Sequence, residues 1–171
     1  MICDLCPRMC HAERTEYEGN GRCGMGTLPV IARAAPHFGE EPCLSGTRGS
    51  GAVFFCGCPL HCVFCQNEEI SRAGAHGKTV TPQELADIFS ALCAEGVHNL
   101  NLVTAGHFAP AVAEALRIAK PAVPVIWNSG GYERVETLKM LEGLVDIYLP
   151  DYKYADAGLA QLCSEAPDYP Q

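Results

Sequence analysis

An α/β fold made of parallel β/α units, the repeating element of α/β barrels, is predicted for this 171-residue chain by three observations. Apolar runs rich in β-branched and aromatic residues recur at 52–55, 100–104, 123–127 and 145–149. Helical sequence follows each run, and turn-forming residues separate the pieces. Strand and helix in alternation are satisfied by parallel strands joined through right-handed crossovers.

Residues 1–45 precede this pattern and differ from it. They are rich in Cys, Gly and Pro, without a sustained period of 3.6 or 2, and read as a small irregular module, with the α/β core at 46–171. The segment 45–51 is a glycine-punctuated approach to the first strand at 52–55. The first helix is announced by Thr81 and Glu84 as a capping-box pair with Pro82 at its first position. Leu85, Ile88, Phe89 and Leu92 share one face, and Gly96 ends it. A strand at 100–104 is followed by a helix over 110–119. A strand at 123–127 leads into a helix over 135–141 closed by Gly143, and the strand at 145–149 into a helix over 155–163. In such folds ligands gather at the carboxyl ends of the strands, so the loops beginning at Cys56, Thr104, Asn128 and Pro150 should face one site.

Composition narrows the functional classes. A hydrophobic content of 48% is ample for a core. The formal net charge is −8 and the 12 Lys and Arg residues form no run, so no nucleic-acid partner is expected. The polar N-terminus and the lack of a membrane-length apolar run predict no membrane association and a cytoplasmic protein. Eleven clustered cysteines in such a compartment point to metal ligation rather than disulfides.

Cys58, Cys62 and Cys65 carry the chemistry. Their C-x3-C-x2-C spacing follows a strand directly, a placement that core packing does not explain, with buried thiols or a zinc knuckle as the plainer reading. Three thiolates can hold three corners of a [4Fe-4S] cube and leave one iron open to a small molecule. Cys3, Cys6, Cys10 and Cys23, spaced C-x2-C-x3-C-x12-C, supply enough thiols for a closed four-ligand site. Either a second [4Fe-4S] cluster or a structural zinc satisfies it, with Cys43 as a substitute ligand.

With Phe64 in its aromatic slot, the cluster loop resembles that of the radical SAM superfamily, in which the open iron chelates S-adenosylmethionine (SAM). Segments 1–8, 40–46, 49–55, 62–67 and 145–153 are similar to the branch related to the pyruvate formate-lyase activating enzyme. The resemblance implies a partial (β/α) barrel, with about four units present here, that reductively cleaves SAM to methionine and a 5′-deoxyadenosyl radical. It implies Cys58, Cys62 and Cys65 as cluster ligands and adenine contacts at Phe64 and Gln66. Thr104 and Gly106 fall at the SAM amino group, Asn128 and Ser129 near ribose, and Asp151 and Lys153 beside SAM. Several of these residues have a plainer reading: 128–131 also fits a strand-to-helix turn, Asp151 with Lys153 a solvated charge pair, and His107 a hydrogen-bonded structural histidine. The implied partners are an external one-electron reductant such as flavodoxin or ferredoxin, and a glycyl radical protein or small molecule as substrate. A non-catalytic iron-sulfur electron-transfer or scaffold protein is the alternative. Related barrels continue through two more units, so an open edge at 145–149 and self-association are expected.

Overall fold

The computed structural model describes residues 2–170. Strands β1 (Ile2–Cys3) and β2 (Ala12–Glu13) form a small antiparallel pair. Next come β3 (Val30–His37), α1 (Pro42–Ser45), β4 (Ser50–Phe55), α2 (Glu68–Ser71), β5 (Lys78–Thr79) and α3 (Pro82–Ala94). The chain continues through β6 (Leu100–Val103), a 3₁₀ turn at Gly106–Phe108, α4 (Ala109–Ala119), β7 (Val125–Ser129), α5 (Val135–Lys139), β8 (Ile147–Pro150) and α6 (Ala157–Ser164). The main sheet has six strands in the order β5-β3-β4-β6-β7-β8, and β4, β6, β7 and β8 are parallel. The α/β class, the parallel sheet and the Cys-rich N-terminal region are therefore as the sequence predicts.

Register explains how one sheet serves both core and site. Val53, Phe55, Leu100, Leu102, Val125 and Trp127 point to the helix side, where they bury against Leu85, Phe89 and Leu92 of α3 and Val112 and Leu116 of α4. Successive residues face opposite ways, so Phe54, Val103 and Asn128, aligned across three strands, present the other face. That face lines a cavity at the carboxyl ends of the parallel strands. The start of α3 follows its sequence signal: Thr81 and Glu84 form both halves of the capping box.

Two differences from the sequence reading have physical causes. Residues 30–37, expected within the irregular module, form a strand antiparallel to β4. A register shift between Ile31 and Arg33, together with Pro36, breaks the alternation that would have revealed it. The third and fourth parallel strands start two residues later than expected. Asp146 occupies the place of a ladder residue through its side chain, Oδ2 accepting from the Val125 N–H at 2.8 Å. The open edge expected at 145–149 is present: among the described residues β8 pairs only with β7, and Ile147 and Tyr148 are exposed along it.

The N-terminal segment has little core of its own: Cys3, Leu5 and Ala12 form its buried cluster. Polar ties hold it to the sheet. The buried Arg14 guanidinium donates to the carbonyls of Met25 (3.0 Å), Gly26 and His107 (2.8 Å). Thr137 donates to Leu5 O at 2.7 Å, and Arg134 to Asp4 O at 2.8 Å.

Candidate iron-sulfur site

The loop leaving β4 turns sharply at Gly57, whose φ is +79°. A Cβ here would lie 2.5 Å from the Met25 side chain and 2.9 Å from Cys23 O, so only glycine fits between the strand exit and the N-terminal segment. Beyond it the chain wraps through Cys58, Cys62 and Cys65, with His61 in the left-handed region at φ +52°. Arg8 fixes this loop by donating to Pro59 O at 2.9 Å and to the carbonyls of Ser164 and Glu165 at the end of α6. Arg72 fixes its far side through His61 O at 2.9 Å.

Two of the three thiols already accept hydrogen bonds. The Leu60 N–H points at Cys58 Sγ at 3.4 Å, and Ser164 Oγ donates to Cys62 Sγ at 3.0 Å. Such donors stabilise negative charge on sulfur and tune a bound cluster. Burial pushes the Cys58 thiol up, the Leu60 and His61 backbone N–H groups oppose that, and charge on Cys62 and Cys65 adds to it. A metal replaces the thiol proton and so removes that penalty. Burial, then the charges of Arg22, Arg72 and Arg8, depress His61 to about 4, leaving it neutral while the arginines supply positive charge around the loop.

Cys58, Cys62 and Cys65 line one wall of a cavity of about 690 Å³, within the range of small-molecule sites. Phe64, Gln66, Thr104, Asn128, Ser129, Asp151 and Lys153 line the same cavity. Gly106 does not; it opens the 3₁₀ turn and borders a separate narrow cleft with Cys6, Cys58 and Glu133. Thr104 holds φ +61°, a costly conformation for a β-branched residue, at the cavity edge. Lys153 Nζ pairs with Asp151 Oδ2 at 2.6 Å. Burial works against the lysine's charge, but Asp151 outweighs it and the pKa is raised. Ser129 serves the turn, accepting from Gly131 N at 3.2 Å and donating to Glu133 at 3.0 Å. His107 is buried and bonds Cys56 O through Nε2 at 2.8 Å, a structural role.

Several residues of the site gave no motif signal. Arg8, Arg72 and Ser164 act on the cysteine loop from distant sequence. Glu40, following β3, reaches the cavity with its carboxylate 3.5 Å from Asn128 Nδ2, and burial followed by the charge of Glu41 raises its pKa. Cys43 is exposed in α1, where Asn99 holds the neighbouring Leu44 O at the opposite, amino-terminal end of the parallel strands.

Among the described residues, no three Cys, His, Asp or Glu side chains converge on a point that would hold a single metal ion. Tetrahedral Zn–S bonds of about 2.3 Å would bring thiolates within about 3.8 Å of each other. In a [4Fe-4S] cube each cysteine binds a different iron, and the ligands stand farther apart. Three buried or half-buried thiols around a cavity wall, with donors on two of their sulfurs and arginines behind the loop, fit a cluster.

Comparison with known proteins agrees on the metal. The chain is 31% identical, over 177 aligned positions, to an uncharacterized protein of Methanocaldococcus jannaschii; the match covers 98% of this chain and 50% of the relative, so the chain spans about half the relative's length. Residues 45–150, which include Cys58, Cys62 and Cys65, match a family described as 4Fe-4S single cluster domain, and to that family the chain belongs.

Proposed function

We propose that this iron-sulfur protein is a radical SAM enzyme, which reductively cleaves SAM to methionine and a 5′-deoxyadenosyl radical. One observation carries the reading: the three cysteines share a single cavity with seven of the eight residues that the resemblance assigns to SAM. When bound, a cluster with one open iron supplies a single low-potential electron to the SAM sulfonium. The chain's own residues hold and orient. Phe64 and Gln66, next to the third ligand, offer an aromatic face and an amide to adenine. Asn128 stands where ribose hydroxyls need partners, and the Asp151–Lys153 pair sets charge at the rim near Cys62. The sheet beneath and α2 beside the cavity exclude water from its wall. A flavodoxin or ferredoxin is the proposed electron source, a glycyl radical protein or small molecule the proposed target, and the cytoplasm the proposed location.

The test is anaerobic reconstitution, reduction with dithionite and chromatography for 5′-deoxyadenosine. The expected result is at least one equivalent per cluster, lost in Cys58→Ala, Cys62→Ala and Cys65→Ala. Lys153→Ala should raise the KM for SAM about tenfold. An intact cluster whose reduced EPR signal ignores SAM, with no 5′-deoxyadenosine formed, would overturn the proposal and leave electron transfer as the function.

A further inference from the structure

The matched family segment begins at residue 45, so it does not account for the four N-terminal cysteines. Among the described residues they nevertheless sit together. Cys3 lies on β1 opposite Ala12 of β2, and Cys6 heads a turn closed by Met9 N–H to Cys6 O at 3.1 Å. Cys10 is flanked by two residues in the left-handed region, Met9 at φ +41° and His11 at φ +48°. Cys23 precedes Gly24, whose N–H closes another turn on Gly21 O at 2.9 Å. A Cβ on Gly21 would fall 3.0 Å from Cys10 Sγ and 2.9 Å from the Ala12 side chain, so glycine keeps space open beside that thiol. Cys3 faces Ala12 across the strand pair, Ala12 and Cys10 both crowd Gly21, and Cys23 follows Gly21 by two residues, so pairing and turns gather the thiols into one small module. Arg14 Nη1 lies 3.5 Å from Cys3 Sγ and supplies positive charge to the group.

We infer that Cys3, Cys6, Cys10 and Cys23 ligate a second [4Fe-4S] cluster, closed to substrate, placed directly beside the Cys58–Cys62–Cys65 site. Thiolates suit zinc as well as iron, and the choice of a cluster follows from the surroundings: the four thiols adjoin the segment that matches a 4Fe-4S family. Four thiolates leave no open iron, so this centre takes up and gives back one electron, 2+ to 1+ and back, and binds no SAM. Its placement follows from the cleft of about 20 Å³, room for about one water, that Cys6 and Cys58 both line. Arg8, two residues after Cys6, reaches Pro59 O next to Cys58 at 2.9 Å and ties the two ligand loops together. The adjacency rests on the assignment of Cys58, Cys62 and Cys65 as cluster ligands; the existence of the second centre does not.

Iron, sulfide and zinc analysis of the anaerobically reconstituted full chain tests this without SAM. About eight iron and eight sulfide are expected in the unaltered protein, and about four of each in the Cys58→Ala/Cys62→Ala/Cys65→Ala variant. Zinc without sulfide in that variant, or no metal in a folded variant, overturns the inference. Should that variant not fold, Cys10→Ser with the triplet intact serves instead: loss of half the iron supports the second cluster, and unchanged iron overturns it. The reduced protein should also show an EPR signal split by spin coupling that collapses in either single-site variant. Additive, uncoupled signals would remove the adjacency while leaving the SAM reading to its own assay.

Discussion

The two halves of the chain reach order by different means. Around α3 and α4, large side chains such as Phe89, Phe108, Leu102 and Trp127 are almost wholly buried in one continuous apolar cluster. Residues 2–27 bury only Cys3, Leu5, Ala12 and Met25 among their apolar groups and rely on Arg14, Thr137 and Arg134 for polar ties. Burial is a diffuse force that survives small changes of geometry, whereas a few directed bonds to carbonyls fail together when the backbone loosens. The lesson is that the cysteine-lined cavity stands on the robust half, but its cysteine loop is braced by the fragile half through Arg8.

The comparison breaks most visibly if the core is attacked. Phe89→Ala should cost about 3–5 kcal/mol, measured by urea unfolding, because the ring is fully buried between helix and sheet. The loss should be the same with and without bound metal. Cluster removal should do the reverse: amide exchange rises across residues 2–27 while α3 keeps its protection. Equal loosening of α3 on metal removal would show that the halves are not separable.

What could be read from the sequence divides along the same line. Strands β4, β6 and β7 and helices α3 and α4 announced themselves because periodic burial writes a periodic sequence. Cys58, Cys62 and Cys65 were legible because one loop carries all three. Strand β3 was not, since Pro36 and the register shift at Ile31 erase alternation in a strand that is only partly buried. Arg8, Arg72, Ser164 and Glu40 were invisible for another reason. Each acts across a gap in sequence, and Arg8 meets Ser164 over 156 positions, so no local spacing records the contact. Gly106 was assigned by its position after β6, and the structure turns it away from the cavity because the chain enters a 3₁₀ turn there.

His107 offers a sharper test of where the halves join. Its carbonyl accepts from Arg14 Nη1 of the N-terminal segment at 2.8 Å, and its ring bonds Cys56 O, so Nε2 carries the proton, while Nδ1 has no partner. Burial first, then the charges of Arg14 and His61, depress its pKa from 6.5 to about 4. The unfolded chain therefore binds the proton first. The stabilisation is complete above pH 6.5 and is lost as pH falls from about 6.5 to about 4, amounting to about 3 kcal/mol. His107→Gln, which retains a donor for Cys56 O, should lack this part of the pH dependence. Unfolding curves for both proteins between pH 7.5 and about 4 give the difference directly, and parallel curves would show that the ring takes up its proton as readily in the fold as in the unfolded chain.

The smallest expected effect lies at the capping box, on the robust half and away from every thiol in the site. Thr81 Oγ1 accepts from the Glu84 N–H at 3.2 Å, and Glu84 Oε2 accepts from the Thr81 N–H at 2.8 Å, so two donors at the start of α3 are satisfied reciprocally. Thr81→Ala removes one acceptor and frees the other side chain, at a cost of about 1 kcal/mol. Because α3 packs mainly on the sheet and on α4, that cost should appear as a lower urea midpoint at unchanged slope, identical before and after cluster removal. Iron content and the reduced EPR signal should not move. A Thr81→Ala protein that lost iron would mean that the helix layer transmits to the cysteine loop, and that the separation drawn between the two halves is too sharp.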